Sequence, residues 1–133
     1  MQEKIKVFEY LHDSILVEFS VEPSLQKITV VLETLINEKK SMWKLVFTGL
    51  LRLDFETLGN GEDDMHDCPI EIYDVYQDYS SKEYLRWKRK TNPTHNDLYH
   101  IVLASSFIRG WGENESNEGI NVICRNFDIS EIQ

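Results

Sequence analysis

Within seven residues, Glu62-Asp63-Asp64-Met65-His66-Asp67-Cys68 sets four carboxylates, one imidazole and one thiol. Three chemistries suit such a run: cation ligation, an acidic docking surface, or a solvated turn. Hard cations need several oxygen ligands on a preformed loop, while softer ones need His and Cys. A calcium loop would run Asp54, Glu56 and then a third oxygen ligand, but Leu58 stands there. Zinc would need paired Cys or His at short spacing, and the run offers one of each. A metal site therefore requires Asp63, Asp64 and His66 to be joined by His95 or His100 from afar.

Leu11-His12-Asp13-Ser14 holds the three residue types of a hydrolytic triad, but adjacent residues cannot place a hydroxyl and a carboxylate on opposite imidazole nitrogens. No G-x-S-x-G elbow is present. The expected role is local, with Asp13 or Ser14 bonding backbone amides where the first element meets the first strand. Lys82, Arg86, Lys88, Arg89 and Lys90, with Tyr84 and Trp87 between them, could be read as a nucleic-acid helix. Three of these bases fall in the last turn, where they complement the helix dipole. No Gly-rich phosphate loop, H-E-x-x-H or C-x-x-C occurs, so no catalytic residue or cofactor is assigned.

Charge is unevenly distributed. The chain of 133 residues carries a formal net charge of −9, and residues 54–78 hold nine acids with no Lys or Arg. The remainder holds 14 acids and 14 bases. Such a band repels nucleic acid and anionic membrane and attracts cations or basic protein surfaces. Tyr73, Tyr76, Tyr79, Tyr84, Trp87 and Tyr99 crowd beside it, and aromatics next to acids suit protein contacts. Glu62, Asp63, Asp64, Asp67, Tyr73, Tyr76 and Trp87 are the candidate partner-binding residues.

The elements that must position these groups are mostly strands. "SILVEFSVE" puts Ile15, Val17, Phe19 and Val21 on one parity, and "KITVVLETLI" alternates through Ile28, Val30, Leu32 and Ile36. Pro23-Ser24 between them predicts a hairpin. In "MWKLVFTGLLRLDFETL", Trp43, Leu45, Phe47, Leu51, Leu53 and Phe55 share a parity that Gly49 interrupts, which predicts a bulge or bend. "IEIYDVYQDY", "YHIVLASSFIRGW" and "GINVICRNFDI" supply three more strands. Residues 2–11 fit a helix or a strand, with Ile5, Phe8 and Leu11 on a helical stripe. Ser80 and Glu83 have capping-box spacing and Tyr79 and Tyr84 that of a hydrophobic staple, which predicts a helix over 81–90 ending before Pro93.

The expected fold is a single domain over residues 1–133, mainly β with α+β as an alternative. It is a curved antiparallel sheet or half-barrel of about six strands with one or two short helices. The length suffices for a core without disulfides, and Cys68 and Cys124 are expected to be free thiols, Cys124 within the core. The amino terminus lacks the unbroken apolar run of a signal peptide, and no stretch approaches the ~20 apolar residues of a membrane span. A cytoplasmic protein is expected.

"LHDSILVEFSVEPSLQKITVVLE", "KLVFTGLLRLDF" and "NVICRNFDI" together resemble a pattern of small bacterial β-rich domains. There an HDS-type turn opens a hairpin, a strand with a central Gly follows, and a carboxy-terminal strand closes the sheet. Some of these domains are immunity proteins of toxin systems. The resemblance transfers no site residue and implies a single-domain binder. The leading expectation is a non-enzymatic, acidic protein-binding domain facing a basic partner. A metal-binding domain or metal-dependent enzyme, and a structural homodimer without ligand, stand as alternatives.

Overall fold

A computed structural model describes residues 6–54, 56–57, 70–90, 98–105, 108–109 and 119–132. The strands are β1 (Ser14–Glu22), β2 (Lys27–Ile36), β3 (Lys39–Asp54), β4 (Glu56–Thr57), β5 (Glu71–Ile72), β6 (Asp74–Gln77), β7 (Tyr99–Ala104), β8 (Ile108–Arg109) and β9 (Gly119–Ile132). An α-helix, α1, spans Lys82–Lys90. Seven strands form one antiparallel sheet in the order β5-β1-β2-β3-β9-β7-β6, and β4 pairs with β8 as a small separate ribbon. The expected mainly-β curved sheet is therefore the architecture observed.

The curvature goes almost to closure. The two ends of the sheet, β5 and β6, are neighbours in sequence, separated by Tyr73 alone. β5 pairs with β1, while β6 pairs with β7. At the switch, Tyr73 N–H donates to the Ala104 carbonyl and the Tyr73 carbonyl accepts from Asp13 N–H. One bent segment thus pairs part of both edges, β5 with the start of β1 and β6 with β7, and so shortens the open edges of the sheet.

Inside lies a continuous apolar cluster. Ile28, Val30 and Leu32 from β2, Leu45 and Phe47 from β3, Ile101 and Leu103 from β7, and Ile120, Val122 and Cys124 from β9 are buried there. A short 3-10 turn, Phe8–Leu11, contributes Phe8 and Leu11. Both belong to the stripe expected over residues 2–11, while Ile5 lies outside the described residues. Phe127 is the hub of an aromatic group, with ring centroids 5.6 Å from Phe8, 5.0 Å from Tyr99 and 6.5 Å from Phe47.

Local irregularities shift the expected faces. In β1 the register slips between Leu16 and Glu18, so one extra residue reverses the parity. Leu16 and Phe19 then pack on the interior, while Ile15 and Val17, expected to share a face with Phe19, are exposed; Val21, opposite buried Ile28, keeps the face of Phe19 but is exposed near the end of the strand. In β3, Gly49 has a left-handed φ of 64° and the register slips between Leu50 and Arg52. Leu50 and Leu53 join the interior cluster, but Leu51 turns outward to a second cluster under α1. The bend expected at Gly49 is present; the continuity of Leu51 with Phe47 is not.

The turns follow from sequence. Pro23–Leu25 forms a 3-10 turn between β1 and β2, ending on Gln26 in the left-handed region. Asn37 and Glu38 both have positive φ between the paired Ile36 and Lys39, the backbone pattern of a two-residue hairpin. At "LHDS", Asp13 is left-handed and its carboxylate faces the His12 ring at 3.3 Å. Ser14 is fully buried, and its hydroxyl has no hydrogen-bond partner among the described residues. The expected side-chain bond to a backbone amide is replaced by a backbone one, from Asp13 N–H to Tyr73.

Candidate functional site

Two groups of residues bear on function, and both lie on the outer face of the sheet. The first is the described part of the acidic band. Glu62, Asp63, Asp64, His66 and Asp67, with Cys68 and His95, lie outside the described residues. Tyr73 and Tyr76 are placed. Ile72 and Val75 both point inward, so the two residues between them, Tyr73 and Asp74, are turned out where the segment changes neighbours. Tyr73 is 47% exposed, and Glu71 and Asp74 are exposed beside it. One Asp74 oxygen accepts the Val75 N–H, which fixes the outward bend.

Tyr76 is half-buried, and its hydroxyl pKa is pushed up to about 12. Burial is the main cause, followed by the negative charge of Asp78, then Tyr73 and Asp74. Tyr73, Asp74, Tyr76 and Asp78 therefore share one electronegative patch. Tyr79, also exposed, stacks edge-on against Tyr84 with centroids 6.0 Å apart, the staple contact expected from their spacing. Trp87 does not join this patch. It packs on the underside of α1 with Leu51 against Tyr84, Leu98 and Ile123.

The second group joins residues that are far apart in sequence. α1 begins one residue later than the capping-box spacing predicts: Leu85 N–H bonds the Ser81 carbonyl, and Tyr84 N–H bonds Ser81 Oγ at 3.1 Å. Ser81 is thus the N-cap, while Ser80 is held by Asp78, whose carboxylate accepts its N–H and hydroxyl. The Ser81 hydroxyl also lies 2.6 Å from His100 Nδ1, and His100 Nε2 lies 2.9 Å from Asn121 Oδ1. Asn121 Nδ2 donates to the Gly119 carbonyl.

These contacts fix a direction along the chain of bonds. The amide of Asn121 is oriented by Gly119, so its oxygen faces the ring and Nε2 must carry the proton. Nδ1 is then an acceptor, and Ser81 donates to it. The close approach at Gly119 requires glycine, since an added Cβ would sit 2.1 Å from the Leu103 carbonyl oxygen.

Burial lowers the His100 pKa; the Asn121 bond, Asp78 and Glu83 oppose the shift, and Arg52 adds to it. Arg52 also joins α1 to β3, contacting Glu83 at 2.5 Å and Asp54 at 3.1 Å.

An imidazole between a hydroxyl and an amide oxygen can, in principle, take a proton from a nucleophile. Here His100 and Asn121 are fully buried and Ser81 is 5% exposed. The Ser81 oxygen is already engaged by a backbone amide. The trio holds the helix on the sheet and is closed to a substrate in this conformation.

The same geometry removes His100 from the metal set, because both ring nitrogens are used. Among the described residues no group of three His, Cys, Asp or Glu side chains could hold a metal ion. Cys124 is a free, buried thiol, as expected, and burial pushes its pKa up to about 12. A sequence signal for the trio did exist: His100 and Asn121 are lone polar residues inside otherwise apolar runs, and a polar group buried there needs a partner. No protein-family model matches the chain, and none of the curated proteins searched is significantly similar to it.

Proposed function

We propose that this chain is a protein-binding domain that presents the acidic segment 54–78 and its neighbouring tyrosines to a basic partner protein. The observation that supports this most is the outward turn of Glu71, Tyr73 and Asp74 on the segment that holds the entire net charge. A rigid aromatic flanked by carboxylates costs little conformational entropy to order and offers both apolar area and charge to a cationic surface. The bridging of both sheet edges by residues 71–77 gives Tyr73 and Asp74 a firm backbone. The interior of the sheet is filled by side chains, which leaves the outer surface for recognition.

The resemblance to small bacterial β-rich domains, some of them immunity proteins, agrees with this reading. The test is capture from extract of the native host, using the wild-type chain and a Tyr73→Ser/Asp74→Lys variant. A basic protein retained in stoichiometric amount by the wild type and at least tenfold less by the variant is the expected result. Equal retention would overturn the assignment of this face.

A further inference from the structure

Among the described residues, α1 is held to the sheet by few devices. Tyr84 is its one buried side chain, Trp87 is half-buried, and Glu83 reaches Arg52. The outward stripe of Lys82, Leu85, Arg86 and Arg89 is exposed. Its N-terminus, by contrast, is fixed by a fully buried chain of hydrogen bonds running Tyr84 N–H, Ser81, His100, Asn121 and the Gly119 carbonyl. With Asn121 oriented by Gly119, this chain of bonds works for a single protonation state of the ring.

We infer that Ser81, His100 and Asn121 form a proton-sensitive latch: neutral His100 holds α1 on β7 and β9, and a proton added at Nδ1 releases the helix while the barrel stays folded. With Nδ1 protonated, Ser81 must turn its hydroxyl hydrogen away from the ring. Its oxygen would then receive both Tyr84 N–H and Nδ1–H, and its own hydrogen would lose the buried acceptor it now has. The ring itself would become a cation with no water around it. The charged groups facing it are Asp78 after β6, Glu83 on α1 and Arg52 on β3. The two acids favour the cation, but Arg52 opposes it, Glu83 is shared with Arg52, and burial outweighs the rest.

The direction of the pH effect follows. In the released state His100 recovers its ordinary pKa of about 6.5. In the latched state it is lowered, so the released state binds more protons below that value. Latching is therefore complete above about pH 6.5 and weakens as pH falls, by up to about tenfold per pH unit until the lowered pKa is reached.

Hydrogen–deuterium exchange of the full chain between pH 7.5 and 4.5, corrected for intrinsic exchange, tests this, with ring 15N shifts reporting His100 on the same samples. Protection of residues 82–90 should fall in step with His100 titration while residues 120–127 stay protected. In His100→Gln, which keeps a donor and an acceptor but does not titrate, helix protection should be independent of pH over this range. The inference is overturned if His100 titrates with α1 still protected, or if α1 and β9 lose protection together. It is equally overturned if α1 stays protected down to the pH at which the barrel unfolds. Should His100→Gln not fold, the wild-type comparison decides alone.

Discussion

At the scale of single residues, burial sets chemistry more than residue type does. Cys124 is a thiol in name, but in the interior beside Val122 and Ile120 its ionisation is pushed to about pH 12. The thiolate is the reactive form, so Cys124 should resist a thiol-reactive dye in the folded protein and react at once in denaturant. Labelling kinetics at pH 8 with and without guanidinium checks this. Ser14 shows the converse, a hydroxyl buried with no hydrogen-bond partner among the described residues. Removing it removes an unmet need, so Ser14→Ala should be neutral or stabilising by up to about 1 kcal/mol in a urea titration. His100 differs from both, because each of its nitrogens has a partner. The sequence made Cys124 legible, since a Cys in an apolar run is a small core residue. It did not reveal that His100 would meet Ser81 and Asn121, because those contacts join residues 19 and 21 positions away.

At the scale of elements, alternation located the strands but could not see where a strand changes face. Alternation alone places Val17 with Phe19 and Leu51 with Phe47. A one-residue slip in β1, and another beside Gly49 in β3, moved both. Gly49 itself was readable as a bend because nothing else explains a glycine in an apolar row. Its φ of 64° and the 2.8 Å approach of an added Cβ to Arg125 Cβ show why any side chain there would be strained. Gly49→Ala should destabilise the fold by about 1–3 kcal/mol, seen as a lowered midpoint in thermal or urea unfolding. The helix was also readable, except for its cap. Ser80 has the capping-box spacing to Glu83 and Ser81 does not, yet Asp78 claims the first and His100 the second, so Ser81 becomes the cap. Pattern fixes where a helix starts to within a residue; tertiary partners choose the residue.

At the scale of the whole molecule, two polarities stand out. The segment 54–78 holds the net charge, whereas five of nine residues in α1 are cationic and its one acid is turned onto Arg52. The first half of that contrast was plain from composition. The exposure of Tyr73 was not, because it depends on a segment leaving β1 for β7 at that residue. The binding proposal joins the two facts, and charge placement distinguishes it from a general effect of acidity. The decisive comparison is retention of the host partner by three chains: wild type, Asp63→Lys/Asp64→Lys/Asp67→Lys, and Glu9→Lys/Glu18→Lys/Glu131→Lys. The two variants change the net charge equally but at different places. The account predicts that the first variant loses the partner at least tenfold at physiological salt while the second retains it. Equal loss by both, or no loss by the first, would contradict it.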